Sequence, residues 1–419
     1  MIRKIMEAIY PSVGGLDVHE QTVVACRRRL IESQMAESEV ETFKTTSNDL
    51  RKLSTWLDQW QVTHVAMEST GIYWVPVWNL LEGRFKLVLV NALHLKKVPG
   101  RKTDVIDAEW IAQCQQCGLL KSSFVPPSDV RGWRQLTRQR MKLVDERTAV
   151  INRIHSLLQQ GNIKLSQVAS NIVGTSGRAI LNALARGESD PAKLAAMTTG
   201  RLKASFEQLV EALSGEVNSN QRWILKRLLG EVGSLEAEIV LYNERIKAEM
   251  SDYQRELERL DTISGVGLRS AENILAEIGP DMSQFASSAH LVSWGAMCPG
   301  KDESGGKQRS GKTPKGNRWL KRALTEAAWA ATREKESYLA ALYKRLAPRR
   351  GKKRAIIAVG RTILEATYHI LKDGVEYKEL GGDYFERMNE EKTKSYMVKR
   401  LLKMGYEVEI KPKRSTGKD

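Results

Sequence analysis

The sequence predicts an α/β domain followed by a mainly helical remainder, and three observations support this. Short Val-rich segments alternate with helical patterns up to about residue 125. Apolar residues then recur every seven positions in two stretches between about 128 and 260. After residue 261 the pattern is mainly helical, with a glycine-rich loop expected at 299–316. This order is typical of a sheet with crossover helices joined to a helical region.

The charge and composition narrow the class of partner. The 419 residues include 66 Lys and Arg against 50 Asp and Glu, which gives a formal net charge of +16. This excess predicts a polyanionic partner, most simply nucleic acid. No apolar run approaches the roughly 18 residues of a membrane span, and the first ten residues lack a secretory h-region, so we expect no membrane partner. Four cysteines exclude a disulfide scaffold and fit a reducing cytosol.

Four short apolar segments of the first domain predict strands. VGGLDV at 13–18 and TVVACR at 22–27, with a turn between them, suit a hairpin. THVAME at 63–68 and KLVLVN at 86–91 are further strand candidates, and the intervening IYWVPVWNLLEG has helical spacing. IDAEWIAQCQQCGLL at 106–120 predicts a helix with a glycine stop. A mixed sheet with crossover helices is the expected result.

Two heptad patterns predict long helices in the middle of the chain. Leu136, Leu143, Val150 and Leu157 form the first pattern, and Leu225, Val232, Ile239, Ile246, Tyr253 and Leu260 form the second. Glycines and Pro191 between the two patterns indicate a small helical insert. The patterns are compatible with an antiparallel hairpin within one chain and equally with an oligomerisation arm.

Carboxylates cluster at predicted element ends. Asp17 and Glu68 end strands, and Asp104 and Asp107 lie three residues apart at a helix start, which places both on one helix face. Four such groups can hold two hard cations that bracket a scissile phosphate. The alternative is that Asp104 is a helix N-cap and the others are solvated surface acids.

The other metal-ligating residue types give weaker signals. Cys114 and Cys117 lie in one predicted helix, without the second pair of ligands that a zinc site needs. Buried structural thiols are therefore the preferred interpretation of this pair. His19 is a weak candidate for the same reason.

Two glycines, Gly265 and Gly267, lie between apolar helical segments in TISGVGLRSAENILAEIG. This is the pattern of a helix-hairpin-helix turn, whose N–H groups and following helix N-terminus can bind a DNA phosphate. An ordinary connector between helices is the alternative.

A basic, glycine-rich segment follows, CPGKDESGGKQRSGKTPKGNRWLKRAL at 298–324. Its hydroxyls, Ser304, Ser310 and Thr313, are possible nucleophiles, but the sequence places no histidine base nearby. From the residues alone, non-covalent phosphate binding is the simpler interpretation. A second basic run lies at 344–354. The basic residues expected to contact nucleic acid are Lys301, Lys307, Arg309, Lys312, Lys315, Arg318, Arg349, Arg350, Lys352 and Lys353.

The ordered set of motifs resembles the DEDD transposases of the insertion sequence 110 type. The matching motifs are GLDVH, MESTGIYW, GRKTDVIDA, SGVG, CPGKDESGGKQRSG, KGN and KKRAIIAVGRTILEATYHIL, spread from about residue 13 to about 385. The resemblance implies a RuvC-like domain of the RNase H fold at 1–127 and a helical coiled-coil region with an insert at 128–260. A transposase domain with a helix-hairpin-helix at 261–385 and a charged tail at 386–419 complete the expected organisation.

The resemblance also implies residue roles. Asp17, Glu68, Asp104 and Asp107 match the DEDD tetrad, expected to bind Mg²⁺ or Mn²⁺, and Ser304 matches the nucleophilic serine. A phosphoserine intermediate would conserve the bond energy, so neither ATP nor an organic cofactor is expected.

Partners follow from the same resemblance. Family members recombine donor and target DNA under the guidance of a structured bridge RNA, and they work as tetramers, so we expect a homo-oligomer, with dimers assembling to tetramers. The expected location is the cytoplasm of a prokaryotic cell, at the nucleoid during activity. The long segment near 160–220 fits a longer subgroup.

Two other function classes stay open at this stage. One is a metal-dependent RuvC-like nuclease or junction resolvase that uses water as nucleophile and needs no Ser304. The other is a non-catalytic nucleic-acid-binding protein. Competent residue types at all four tetrad positions and at Ser304 argue against the second.

Overall fold

The computed structural model describes residues 8–32, 35–69, 71–91, 95, 98, 107–199, 204–299, 302–304, 307–310, 313, 316–388 and 390–410. The chain divides into two compact units, Met1–Val125 and Pro126–Asp419. No helix within the described ranges is both long and apolar enough to cross a membrane.

The first unit is built on a five-stranded mixed sheet. Its strands are β1 (Ser12–Val18), β2 (Thr22–Glu32), β3 (Met35–Lys44), β4 (His64–Glu68) and β5 (Lys86–Val90), and its helices are α1 (Ser47–Asp58), α2 (Trp74–Leu81) and α3 (Asp107–Gln116). The strand order is β3-β2-β1-β4-β5. The first three strands pair antiparallel, and β4 and β5 run parallel to β1. This confirms the α/β, RuvC-like fold class expected for the N-terminal part.

The two faces of this sheet bury different helices because successive side chains of a strand point to opposite sides. Leu16 and Val18 of β1 belong to a core cluster with Leu53 and Leu57 of α1. Val13 lies on the opposite face with Cys26, Ala108 and Ala112, so α3 covers that face. The candidate site lies on the α3 face.

The second unit contains two long helices that pair within the chain, α4 (Ser128–Gln160) and α9 (Ser219–Glu249). They run antiparallel, because Arg147 bonds Glu236 at 2.7 Å and the later Arg153 bonds the earlier Glu231 at 2.7 Å. We call this pair the helical hairpin. The heptad residues Val150, Leu225 and Val232 are buried in its core.

Four short helices lie in the chain between the two helices of the helical hairpin. They are α5 (Leu165–Val168), α6 (Thr175–Arg186), α7 (Pro191–Ala196) and α8 (Phe206–Leu213). Asp190 caps α7, which begins with Pro191, and Ser205 caps α8 in a capping box with Gln208. The buried side chains of these helices join the same core as the hairpin, which is the small insert that the glycines and Pro191 indicated.

The rest of the second unit is mainly helical around one central helix. Its elements are α10 (Gln254–Asp261), α11 (Leu268–Ile278), α12 (Ser288–Trp294), β6 (Asp302–Ser304), β7 (Lys307–Ser310), α13 (Arg318–Ala331), α14 (Tyr338–Arg350), α15 (Lys352–Asp373), α16 (Tyr384–Met388) and α17 (Glu390–Lys403). The central helix α15 packs against α12, α13 and α14. This confirms the mainly helical C-terminal part. A short turn joins α10 and α11 at the position where the sequence predicts a helix-hairpin-helix.

One segment differs from the loop that the sequence suggested. β6 and β7 pair antiparallel as a small β-hairpin, with Ser304 opposite Lys307. Gly305 and Gly306, which connect the two strands, lie outside the described residues. A Gly-Gly pair between two short segments is a signal for a β-hairpin. The sequence therefore contained this signal, although the glycine-rich composition of the segment suggested a loop.

Candidate active site

The parallel pairing of β1 and β4 brings two tetrad residues side by side. Leu16 is in register with Met67, so the next residues, Asp17 and Glu68, lie at the same level of neighbouring strands. Ala66, two residues before Glu68, packs with Trp110 and Ile111 of α3. Since residues two apart share a face, Glu68 lies on the α3 face.

The direction of α3 carries Asp107 to the same end of the sheet. A Cβ at Gly15 would lie 2.3 Å from the Ala108 oxygen, so the first turn of α3 touches β1 two residues before Asp17. The last turn returns toward the start of β1, because the Ile9 N–H donates to the Gln116 oxygen at 2.8 Å. Asp107, the first residue of α3, therefore lies toward the same end of β1 as Asp17.

Asp17 is partly exposed and lies close to the imidazole ring of His19. Its Oδ2 lies 3.2 Å from Nε2 of His19, and the two side chains are 21% and 57% exposed. The predicted Asp104 lies outside the described residues. Within the described part, no three acidic, His or Cys side chains lie close enough to hold a metal ion.

The donor chemistry of this edge still fits a hard cation. Asp17, Glu68 and Asp107 offer carboxylate oxygens, which are the ligands that Mg²⁺ and Mn²⁺ take. Their assignment as metal ligands, together with Asp104, remains a prediction.

The cysteines of the first unit are largely withdrawn from solvent. Burial raises the pKa of the Cys26 and Cys114 thiols to about 12 and also raises the pKa of Cys117. The neutral thiol is therefore favoured at all three positions, in keeping with the structural thiols that the sequence predicts for Cys114 and Cys117.

The serine hairpin, β6–β7, carries the predicted nucleophile at the end of its first strand. Ser304 is the last residue of β6, and the predicted phosphate-binding Lys307 and Arg309 lie in β7. The predicted Lys301, Lys312 and Lys315 lie outside the described residues.

Downstream of the serine hairpin, polar side chains make contacts within the second unit. The Lys321 Nζ donates to the Thr313 Oγ1 at 2.6 Å. Arg322 binds both carboxylate oxygens of Asp145 on α4, at 2.5 and 2.7 Å, so it serves internal packing. The Arg318 guanidinium lies 4.6 Å from the centre of the Trp319 ring.

The turn between α10 and α11 uses its two glycines differently. Gly265 has φ +82°, and a Cβ there would lie 2.3 Å from the Ala331 nitrogen, so only glycine fits this approach. Its N–H donates to Oε1 of Glu334 at 3.0 Å. Gly267 is the N-cap of α11, and a Cβ there would meet no atom within 4 Å. Of the two glycines, Gly267 therefore has the more accessible position for the predicted phosphate contact.

A compact basic patch surrounds the junction of α14 and α15. Gly351, with φ +82°, separates the two helices. The four predicted residues here are all exposed: Arg349, Arg350, Lys352 and Lys353. Their exposure leaves them accessible to a nucleic acid backbone.

A buried ionic network was not predicted from the sequence. Glu277, only 2% exposed, accepts from Arg138 Nε and Nη2 at 2.7 and 2.8 Å. Asn317 donates from Nδ2 to Oε2 of Glu277 at 2.5 Å. The one sequence signal was Asn317 itself, within the KGN motif.

Comparisons with known families agree with this architecture. The family model for DEDD transposases of the IS110 type matches residues 14–163, and the model for transposases of the IS116/IS110/IS902 family matches residues 257–344. The first match covers Asp17, Glu68 and Asp107, and the second covers Ser304. Together the two matches span more than half of the chain.

Related proteins have the same assignment. A probable family 20 transposase of Pseudomonas aeruginosa is 27% identical over 326 residues, which are 77% of this chain and 80% of that protein. The transposase for insertion sequence element IS1111A of Coxiella burnetii is 26% identical over 282 residues, 65% of this chain and 67% of that protein. Among solved structures, T. thermophilus RuvC in complex with a Holliday junction substrate is 14% identical, with a TM-score of 0.21, covering 27% of this chain and 100% of that chain.

The two family matches identify the chain as a transposase of the DEDD class. The chain belongs to the IS110 family of insertion-sequence transposases. Transposases cut and rejoin DNA, so the protein is an enzyme that acts on DNA.

Proposed function

We propose that this transposase cuts and rejoins DNA through a phosphoserine intermediate formed by Ser304. The observation that carries the proposal is the presence in one chain of an acidic sheet edge and a serine-bearing β-hairpin, each within a matched family region. The proposal requires both to act on the same phosphodiester, within one protomer or between two.

The carboxylates would hold the metal that the reaction needs. Asp17, Glu68, Asp104 and Asp107 are the proposed ligands of Mg²⁺ or Mn²⁺. Such an ion, when bound, stabilises negative charge on the scissile phosphate.

The serine hairpin would supply the nucleophile. The Ser304 Oγ loses its proton and forms a bond to phosphorus, while the bond from phosphorus to the 3′ oxygen breaks and the leaving oxygen takes up a proton. The phosphodiester energy is kept in the seryl–DNA bond, so rejoining by a 3′ hydroxyl needs no ATP. Basic residues close in sequence, Lys307 and Arg309, offset charge in the transition state.

Ser304→Ala is the direct test. The variant should keep DNA binding and lose the covalent protein–DNA adduct, because alanine lacks the hydroxyl. Labelled DNA on a denaturing gel measures the adduct, and Ser310→Ala on the neighbouring strand is the matched control that should still form it.

Two results would contradict the assignment. An adduct that persists in Ser304→Ala would move the nucleophile to Ser310 or Thr313. Cleavage by the wild type without any adduct would favour a metal-dependent nuclease or junction resolvase with water as nucleophile, which the acidic edge alone can support.

Donor and target DNA are the proposed substrates, with a bridge RNA as guide. The net charge of +16 and the exposed patch at Arg349–Lys353 support backbone binding. We infer that base pairing with the RNA selects sequence while the protein binds backbone and shape, by analogy with other guided systems.

Omitting the RNA should abolish site-specific recombination but not DNA binding. Recombination of donor and target plasmids is measured with RNA from the non-coding end of the element, with a scrambled RNA, and without RNA. Binding should weaken with salt, with a log–log slope of about −0.9 for each phosphate neutralised. Site-specific recombination by RNA-free protein would contradict guidance.

Self-association is also part of the proposal, as dimers that assemble to tetramers. The heptad residues Val150, Leu225 and Val232 are already buried within the helical hairpin, so we infer that association there uses its outer surface. Val240 and Leu241 on α9 are 52% and 58% exposed and suit such a contact.

A further inference from the structure

The segment that carries the serine hairpin begins and ends at neighbouring positions of the folded unit. Ala296 precedes it with φ +54°, and Gly316 follows it. A Cβ at Gly316 would lie 2.2 Å from the Ala296 Cβ, so the two ends are in direct contact. We call this contact the stem of the serine segment.

Asn317, the next residue, has two separate functions for its two amide atoms. Its Oδ1 accepts from the N–H groups of Trp319 and Leu320 at 3.0 and 3.2 Å, which caps α13. Its Nδ2 donates to Oε2 of Glu277 at 2.5 Å. Serine or aspartate would cap a helix equally well, so only the second contact requires an amide.

Glu277 is a fixed anchor for that amide. It is 2% exposed at the end of α11, and Arg138 of α4 holds both of its oxygens. Arg134 contributes through an Nε–Oε2 contact of 3.3 Å and through the Glu277 backbone oxygen. A buried carboxylate held by two arginines cannot shift without leaving buried charges unpaired.

We propose that Asn317 is a positioning residue for the reaction: through Glu277 it fixes the stem that aims the serine hairpin. This rests on the proposed function of Ser304. The anchor sets where β6 and β7 emerge from the helical unit, and a displacement of about 1 Å in a reacting group can cost about 100-fold in rate.

The test removes the amide donor and keeps the helix cap. Asn317→Ser retains an oxygen for the Trp319 and Leu320 N–H groups but presents no amide to Glu277. The matched control is Asn218→Ser, the same change at the N-cap of α9, where Oδ1 accepts from the Gln221 N–H at 2.9 Å.

The readouts are the single-turnover rate of adduct formation at saturating DNA, the Kd for DNA and the melting temperature. Asn317→Ser should lower the rate about 10- to 100-fold. Its Kd and melting temperature should match those of Asn218→Ser. Asn317→Asp, which caps α13 but places a carboxylate against Glu277, should be at least as slow.

The outcomes separate this inference from the proposed nucleophile. Equal adduct rates for Asn317→Ser and Asn218→Ser would overturn the positioning role and leave Ser304 in place. A parallel loss of folding and DNA binding in both Asn317 variants would also overturn it, because Asn317 would then be structural. A wild-type protein without an adduct would refute the phosphoserine itself.

Discussion

Asp17→Asn is expected to lower strand cleavage about 1,000-fold while DNA binding is retained. Asparagine has nearly the same size but no charge, so it would weaken the proposed metal site. Loss of a catalytic metal ligand costs several kcal/mol in the transition state, and each tenfold in rate corresponds to about 1.4 kcal/mol. Cleavage of labelled DNA measures the rate, and titration calorimetry with Mn²⁺ measures the metal directly.

The control for this variant lies in the same unit. Asp58→Asn removes an equally charged side chain that bonds Arg84 at 2.5 Å and is 41% exposed. A surface pair of this kind contributes little to stability, so cleavage and Mn²⁺ binding should be unchanged. Wild-type cleavage by Asp17→Asn, or full activity in EDTA, would show that Asp17 is not a ligand.

Gly15→Ala should destabilise the first unit by about 3 kcal/mol and abolish cleavage. The added Cβ would lie 2.3 Å from both the Ala108 oxygen and the Ala112 nitrogen, which are backbone atoms of α3. The helix has to move away from β1, and Asp107 moves with it. Urea unfolding gives the free-energy change and the cleavage assay gives the activity.

Gly14→Ala is a matched control on the opposite face of the same strand. Its Cβ would lie 3.1 Å from Leu57 Cδ2 and 3.2 Å from Val65 Cγ2, side-chain atoms that can shift. We expect a cost of about 1 kcal/mol and nearly normal cleavage. Equal effects of the two substitutions would contradict the close packing of α3 on β1.

The sheet could be predicted where its strands are apolar. The sequence predicts β1, β2, β4 and β5 from their short apolar segments, although β2 continues to Glu32, beyond the predicted 22–27. β3, MAESEVETFK, was missed because it is an edge strand whose residues are mostly exposed and polar, so it has no alternating apolar signal. Only its pairing with β2 identifies it.

The site could be predicted only in its local parts. Asp17 and Glu68 each come at the end of a predicted strand, so the sequence predicts each of them as a candidate, but only the parallel pairing of β1 with β4 brings the two together. The contacts among Arg138, Glu277 and Asn317 join residues separated by 139 and 40 positions, and no local pattern encodes such a meeting. The close approach of Gly265 to Ala331 could not be predicted for the same reason, because the two residues are distant in sequence.

The helical hairpin has a consequence for how the chain acquires its structure. Its cross-links close progressively longer loops from tip to base: 78 positions at Arg153–Glu231, 89 at Arg147–Glu236 and 103 at Arg140–Asn243. The entropic cost of closing a loop grows only slowly with loop length. Once the tip has closed, each further cross-link therefore adds little entropic cost. During synthesis α4 emerges before α9, so its apolar face stays uncovered until α9 is made. We therefore expect the arm to close first at its tip and then toward its base as α9 is completed.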